Sequence, residues 1–290
     1  MKSILNLWRL IRPHQWLKNS FVFTGLLFGH AWHDTHLVYQ VVLAAFAFSL
    51  ISSAVYIIND MVDCEQDRLH PVKCLRPLAA NQLGMTVAGI FAALLVLVGL
   101  LLAAWVGSAV LLIIAGYAVM NLAYSLRLKH IVILDVFIIA AGFMLRILAG
   151  TLGVGIPPSQ WLLLCGLMVT LFLGFAKRRA EIIALTETKA AHRKVLVHYS
   201  PVLLDKMIGI TASGVIMSYS LYTMSPDTVH THGTANLIYT VPFVMYGVFR
   251  YIYLLHQQHG GGDPSRDVVR DRHLLLAVLA WGVATFWLIR

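Results

Sequence analysis

Charge is what this sequence has least of. Acidic and basic residues together make up 12% of its 290 residues, against roughly 25% in an ordinary soluble domain. So few cannot coat a water-soluble globule of this size. Hydrophobic residues fill 59% of the chain instead, in stretches such as 85–106 and 162–176 that hold no charge at all. A helix needs about 20 such residues to cross roughly 30 Å of hydrocarbon, so the composition implies a membrane protein. Cysteine is scarce too. Cys64, Cys74 and Cys165 have no metal-ligand spacing, and the first two fall in a loop assigned below to the reducing cytoplasm, so all three read as structural. The start, 1–8, lacks the apolar core and cleavage site of a secretory signal, and no processing is expected. No internal repeat or low-complexity segment divides the chain, which reads as a single transmembrane domain over 1–290. The formal charge of +9 implies no nucleic-acid partner, because basic residues flanking apolar spans have a topological explanation.

The apolar pattern predicts about nine transmembrane helices in one all-α bundle, near 16–33, 38–58, 84–104, 108–125, 131–150, 160–177, 203–223, 236–256 and 273–290. Lysine and arginine are absent from one set of connections, 33–37, 105–107, 151–159 and 224–235. The other set holds Arg68, Lys73 and Arg76, then Arg127 and Lys129, then Lys177, Arg178, Arg179, Lys189, Arg193 and Lys194, then Arg266, Arg270 and Arg272. Lys2, Arg9, Arg12 and Lys18 precede or begin the first span. The positive-inside bias therefore puts the N-terminus and the large polar loops in the cytoplasm. Pro157 and Pro158 open the sixth span. Gly260, Gly261 and Gly262 with Pro264 read as a flexible turn before the last.

Against this apolar background one acidic string stands out, Asn59-Asp60-Met61-Val62-Asp63-Cys64-Glu65-Gln66-Asp67, at the cytoplasmic end of the second span. Asp60, Asp63 and Asp67 are three and four residues apart, so a continuing helix puts them on one face. Like charges so placed repel, and carboxylates at a membrane edge are costly to desolvate. A cation must offset them, and magnesium is the natural one because it prefers oxygen ligands and commonly bridges to substrate phosphates. Lys73 and Arg76 follow directly, suited either to phosphate oxygens or to topology.

The acidic string resembles the first motif of the UbiA superfamily of membrane prenyltransferases, a nine-helix family. Arg76-Pro77 and the string Tyr124-Ser125-Leu126-Arg127-Leu128-Lys129 are similar to it as well. Prenyl-transferring members carry a second aspartate-rich motif after the sixth span. Here that place reads Gly174-Phe175-Ala176-Lys177-Arg178-Arg179-Ala180-Glu181, which is similar to the branch of decaprenyl-phosphate phosphoribosyltransferases. The strings Arg12-Pro13-His14-Gln15-Trp16-Leu17-Lys18-Asn19, Leu134-Asp135 and Gly142-Phe143-Met144-Leu145-Arg146 resemble that branch too. The resemblance implies an enzyme of the inner (plasma) membrane, its active site facing the cytoplasm, that joins phosphoribosyl pyrophosphate to a polyprenyl phosphate and serves cell-envelope (cell wall) biogenesis. The charges agree with it. Donor and acceptor bring three anionic groups together, and fixed cations suit them better than a second carboxylate cluster.

On this reading Asp60, Asp63 and Asp67 hold Mg2+ on the leaving pyrophosphate. Oxocarbenium character develops at ribose C1 as in other glycosyl transfers, and an already ionised lipid phosphate oxygen attacks without a strong base. Lys18, Asn19, Asn59, Lys73, Arg76, Tyr124, Lys129, Lys177 and Arg179 are candidate substrate contacts, with Glu181 orienting an arginine or assisting the metal. Lys177, Arg178 and Arg179 equally suit a topological anchor, and neighbours 100° apart on a helix do not all face one cavity. Trp16 is ambiguous between site and interface anchor. Arg146, inside the fifth span, has either a functional role or a hydrogen-bonding one with helix backbone. Asp135 is read as a helix cap or a partner of Lys129. His33, His36, His230 and His232 lack zinc-site spacing, and His192 and His198 have no evident partner. Two rivals remain: an aromatic prenyltransferase, which predicts the absent second aspartate motif, and a transporter, which predicts symmetry-related halves.

Overall fold

A computed structural model describes residues 2–69, 73–188, 199–257, 261 and 264–290. Every regular element among them is helical. Among the described residues, eight helices are long and apolar enough to cross a membrane, which makes the chain a multi-pass membrane protein. The structure divides into two compact units, 1–158 and 159–290, each described by itself.

The first unit opens with α1 (Lys2–Ile11), a 3-10 helix over Pro13–Phe23 and the short α2 (Thr24–Phe28). It continues through α3 (Thr35–Val62), α4 (Cys64–Arg68), α5 (Met85–Val106), α6 (Ser108–Leu126) and α7 (Leu134–Ala149). α3 is the central element, carrying Ala44, Ala47, Phe48, Ile51, Ala54 and Ile57 into the interior. Asp34 caps its start by accepting from the backbone N–H of His36 and Leu37 at 2.9 and 3.1 Å. α5 instead turns Ile90, Leu94, Leu97 and Leu101 outward, as lipid in place of water as the solvent permits.

One expected span takes a different form. Over 16–33 the chain builds no single long helix. The 3-10 segment rises about 2.0 Å per residue rather than 1.5 Å, so eleven residues of it with five of α2 still extend roughly 30 Å. Glycine lets this segment lie against the end of α7 with backbone touching backbone. A Cβ on Gly150 would sit 1.7 Å from the Val22 carbonyl oxygen, and one on Gly25 would sit 2.1 Å from that of Gly150.

The second unit holds α8 (Gln160–Thr188), α9 (Pro201–Met224), α10 (Pro226–His232), α11 (Val241–Gln257), α12 (Pro264–Arg270) and α13 (Arg272–Ile289). α8 and α9 pack along their length, burying Leu171, Phe172 and Phe175 with Leu204, Ile208 and Ala212. Cys64, Cys74 and Cys165 form no disulfide.

Candidate active site

The acidic string occupies the end of α3 and all but the last residue of α4. α3 ends at Val62, but the helical hydrogen bonds run on. The Asp63 N–H donates to the Asn59 carbonyl at 2.9 Å and the Asp67 N–H to the Asp63 carbonyl at 2.8 Å. Asp60 and Asp67, two turns apart, therefore face the same side and are buried, at 2% and 3% exposure. Arg76 bridges them: its Nη1 lies 3.0 Å from Asp60 Oδ1 and 2.6 Å from Asp67 Oδ2. Arg12 reaches both oxygens of Asp60 from 48 residues away, at 2.5 and 2.7 Å. Lys73 Nζ approaches Asp67 at 3.9 Å. Asp63 takes a different partner, Lys129 Nζ, at 2.7 Å.

The offset expected from magnesium is thus supplied by side chains. Four cations face three carboxylates, which leaves the cluster positive and suited to a further anion. The donor set itself, the carboxylate oxygens of Asp60, Asp63 and Asp67 with Asn59 next in sequence, has the hard-oxygen chemistry that magnesium prefers. Among the described residues no three His, Cys, Asp or Glu side chains converge. Metal coordination by all three aspartates therefore requires Arg12, Arg76 or Lys129 to release oxygens they now hold.

The other candidates fall into place around this cluster or apart from it. Lys18 is exposed, while Asn19 beside it is buried and bonded to Ser49 and Arg146. Asn59 and Tyr124 are half-buried and Lys129 buried. Trp16 donates to Ser53 Oγ at 3.0 Å, a polar contact beyond an interface anchor. Asp135 is buried in the first turn of α7, but Lys129 pairs with Asp63 rather than with it. Arg146 does bond helix backbone, donating to the Gly142 carbonyl at 2.7 Å.

Within the second unit the three adjacent cations of α8 diverge, as their 100° spacing requires. Lys177 is exposed and its two neighbours are buried. Arg178 pairs with Glu181 at 2.5 Å. Arg179 donates to Asp205 at 2.5 Å and to the Leu255 carbonyl at 2.9 Å. Lys189, His192, Arg193, Lys194, His198, Gly260 and Gly262 lie outside the described residues.

Sequence reading missed Arg12 and Asp205. Arg12 counts there as a topological charge and as the first residue of a family-like string, but not among the site candidates. Its signal was the proline after it, which cannot continue a helix; α1 stops at Ile11 and Arg12 takes a φ of 51°. Asp205 had a fainter one, a lone carboxylate near the start of an apolar helix.

Helices long and apolar enough to cross a membrane, with a buried cluster of carboxylates and basic side chains at the end of one of them, make a multi-pass membrane protein with a candidate site for anionic groups. Residues 19–270 match the UbiA prenyltransferase family, and the chain belongs to that family. It is 35% identical to decaprenyl-phosphate phosphoribosyltransferase of Corynebacterium glutamicum over 94% of this chain and 83% of that one. It is 32% identical to the protein of the same name from Mycolicibacterium smegmatis, over 94% and 89%. Its fold matches a UbiA homolog from Archaeoglobus fulgidus bound to GPP and Mg2+, with a TM-score of 0.74, 17% identity, and coverage of 97% of this chain and 99% of that one.

Proposed function

We propose that this enzyme transfers the 5-phosphoribosyl group of phosphoribosyl pyrophosphate to a polyprenyl phosphate such as decaprenyl phosphate. The reaction takes place at the cytoplasmic face of the plasma membrane and supplies cell-envelope precursors. The bond from ribose C1 to the pyrophosphate oxygen breaks, pyrophosphate leaves with the electron pair, and an oxygen of the lipid phosphate bonds to C1. The observation that carries this reading is the likeness, over nearly the whole chain, to enzymes named for that transfer, joined to an acidic cluster with surplus cations.

Asp60, Asp63 and Asp67 are the residues to hold Mg2+, which when bound neutralises the leaving pyrophosphate. Arg12, Arg76 and Lys129 hold those carboxylates apart and in register before substrate arrives. Once displaced, the same three are free to take phosphate oxygens, and Arg76 can do so in the bidentate manner of a guanidinium. Lys18, Asn19, Asn59, Lys73 and Tyr124 complete the proposed substrate contacts. From the second unit the proposal adds Lys177, Arg179 and Glu181. The nucleophile is ionised at neutral pH, so none of these residues has to act as a strong base.

The test is to supply purified enzyme with radiolabelled phosphoribosyl pyrophosphate, decaprenyl phosphate and magnesium, and to measure label in the organic phase. Lipid-soluble label that needs magnesium and is lost in Asp63→Asn supports the proposal. Product only from a prenyl diphosphate and an aromatic acceptor would keep the family and overturn the donor.

A further inference from the structure

Arg146 is a buried cation, 5% exposed, whose bonded partners are all uncharged. Its Nε donates to Asn19 Oδ1 at 2.8 Å, its Nη1 to the Gly142 carbonyl and its Nη2 to Tyr117 Oη at 2.9 Å. The rings of Phe48, Tyr117 and Phe143 lie 4.8 to 5.3 Å from the guanidinium carbon. A charge placed among apolar helices at such cost calls for a purpose, and here it falls on Asn19.

Asn19 is one rung of a polar seam between the 3-10 helix and α3. Its amide also donates to Ser49 Oγ at 2.8 Å. Farther along, Trp16 donates to Ser53 Oγ, and Ser53 Oγ donates to the Ile11 carbonyl at 2.9 Å. Beyond that, Arg12 sits 5.2 Å over the Tyr56 ring and closes on Asp60. Ser49, Ser53, Tyr56 and Asp60 are spaced four, three and four residues apart, a single stripe along one face of α3. The stripe is about 16 Å long. It runs from Asn19 beside Arg146 at one end to the acidic cluster at the other. Apolar contacts alone tolerate sliding of a smooth segment against a helix, whereas directional polar rungs fix one register.

We infer that Arg146 is a positioning residue for the acidic cluster. By gripping Asn19 it sets the register of the Pro13–Phe23 segment along α3, and so places Arg12 on Asp60. Gly150, just past α7, meets the Val22 backbone of that segment and holds it close enough for the grip.

The experiment has two arms. In the first, hydrogen exchange is followed for Arg146→Met in detergent. Amides of 13–23 should exchange faster than in wild type, while those of α8 and α9 stay unchanged. Unchanged exchange at 13–23 overturns the inference. Should Arg146→Met not fold, Asn19→Ala keeps the cation with its Gly142 and Tyr117 bonds and carries the same test. The second arm rests on the transfer reading above and is a double-mutant cycle. Arg146→Met and Arg12→Gln should each lower kcat/KM for phosphoribosyl pyrophosphate, by roughly tenfold to a hundredfold. The double variant should be no worse than Arg12→Gln alone, although sites this far apart ordinarily add. A double variant as low as the product of the two single losses overturns the inference. Absence of transfer by wild type would instead sink the transfer reading and leave the exchange arm to judge Arg146.

Discussion

Lys129 Nζ lies 2.7 Å from Asp63 Oδ1, joining the turn after α6 to the end of α3. The pair separates Asp63 from its neighbours in the acidic string, since Asp60 and Asp67 share Arg76 instead. Lys129 is nearly buried and Asp63 only partly so. Lys129→Met should therefore destabilise by about 2 kcal/mol, less than for a fully buried pair. Adding Asp63→Asn should recover stability, because no uncompensated charge is left, while transfer stays lost. Thermal unfolding in detergent and the label assay separate the two effects. Recovery of both would make Asp63 a structural carboxylate only.

Chelation should abolish transfer, and magnesium should restore it. Asp67→Asn should raise the magnesium needed for half-maximal rate, because one hard-oxygen donor is lost and Arg76 is left to Asp60. A titration of rate against magnesium for the two proteins measures this. Identical curves would remove Asp67 from the metal site.

Lys177 and Arg179 should separate in their effects despite lying two residues apart. Lys177 is exposed, and Lys177→Gln should raise the donor KM while leaving the unfolding temperature alone. Arg179→Gln abandons Asp205 and the buried Leu255 carbonyl, and should cost about 1–3 kcal/mol. If Arg179→Gln unfolds like wild type, the pairing with Asp205 contributes nothing and Arg179 is free to serve substrate.

Long apolar runs were legible because their helices satisfy their own backbone in lipid wherever they pack. The 84–104 and 108–125 spans accordingly become Met85–Val106 and Ser108–Leu126. The first span was not legible in form. Its 3-10 segment meets Gly150 at the Val22 backbone and reaches Ser49 and Ser53 through Asn19 and Trp16, and partners so distant in sequence leave no local pattern. The acidic string showed the same split. The spacing of Asp60 and Asp67 is a local helical property and was readable. Their cations come from Arg12 and Arg76, and that of Asp63 from Lys129, 66 residues on. Local chemistry named the carboxylates but could not say which lysines and arginines the fold would bring to them.

Acid should weaken the second unit at one identifiable point. Asp271 precedes α13, accepts from the Leu274 N–H at 2.8 Å, and pairs with Arg250 at 2.7 and 3.0 Å. The hydrogen bonds from Arg250, ahead of the cap from Leu274, hold its carboxyl below the ordinary aspartate range. A carboxyl depressed in the folded state binds fewer protons there than in the unfolded chain. Its contribution is therefore full above the unfolded value of about 3.9 and disappears as pH falls through the lower folded value. Asp271→Ala should cost about 1 kcal/mol at neutral pH through loss of the helix cap. Asp271→Asn can keep the cap but gives up the charge that the arginine grips. Unfolding followed from pH 7 down to pH 3 should then show wild type losing its advantage over Asp271→Asn as the carboxyl protonates. A difference that stays constant over that range would mean that the shape of the side chain, not its charge, fixes the start of α13.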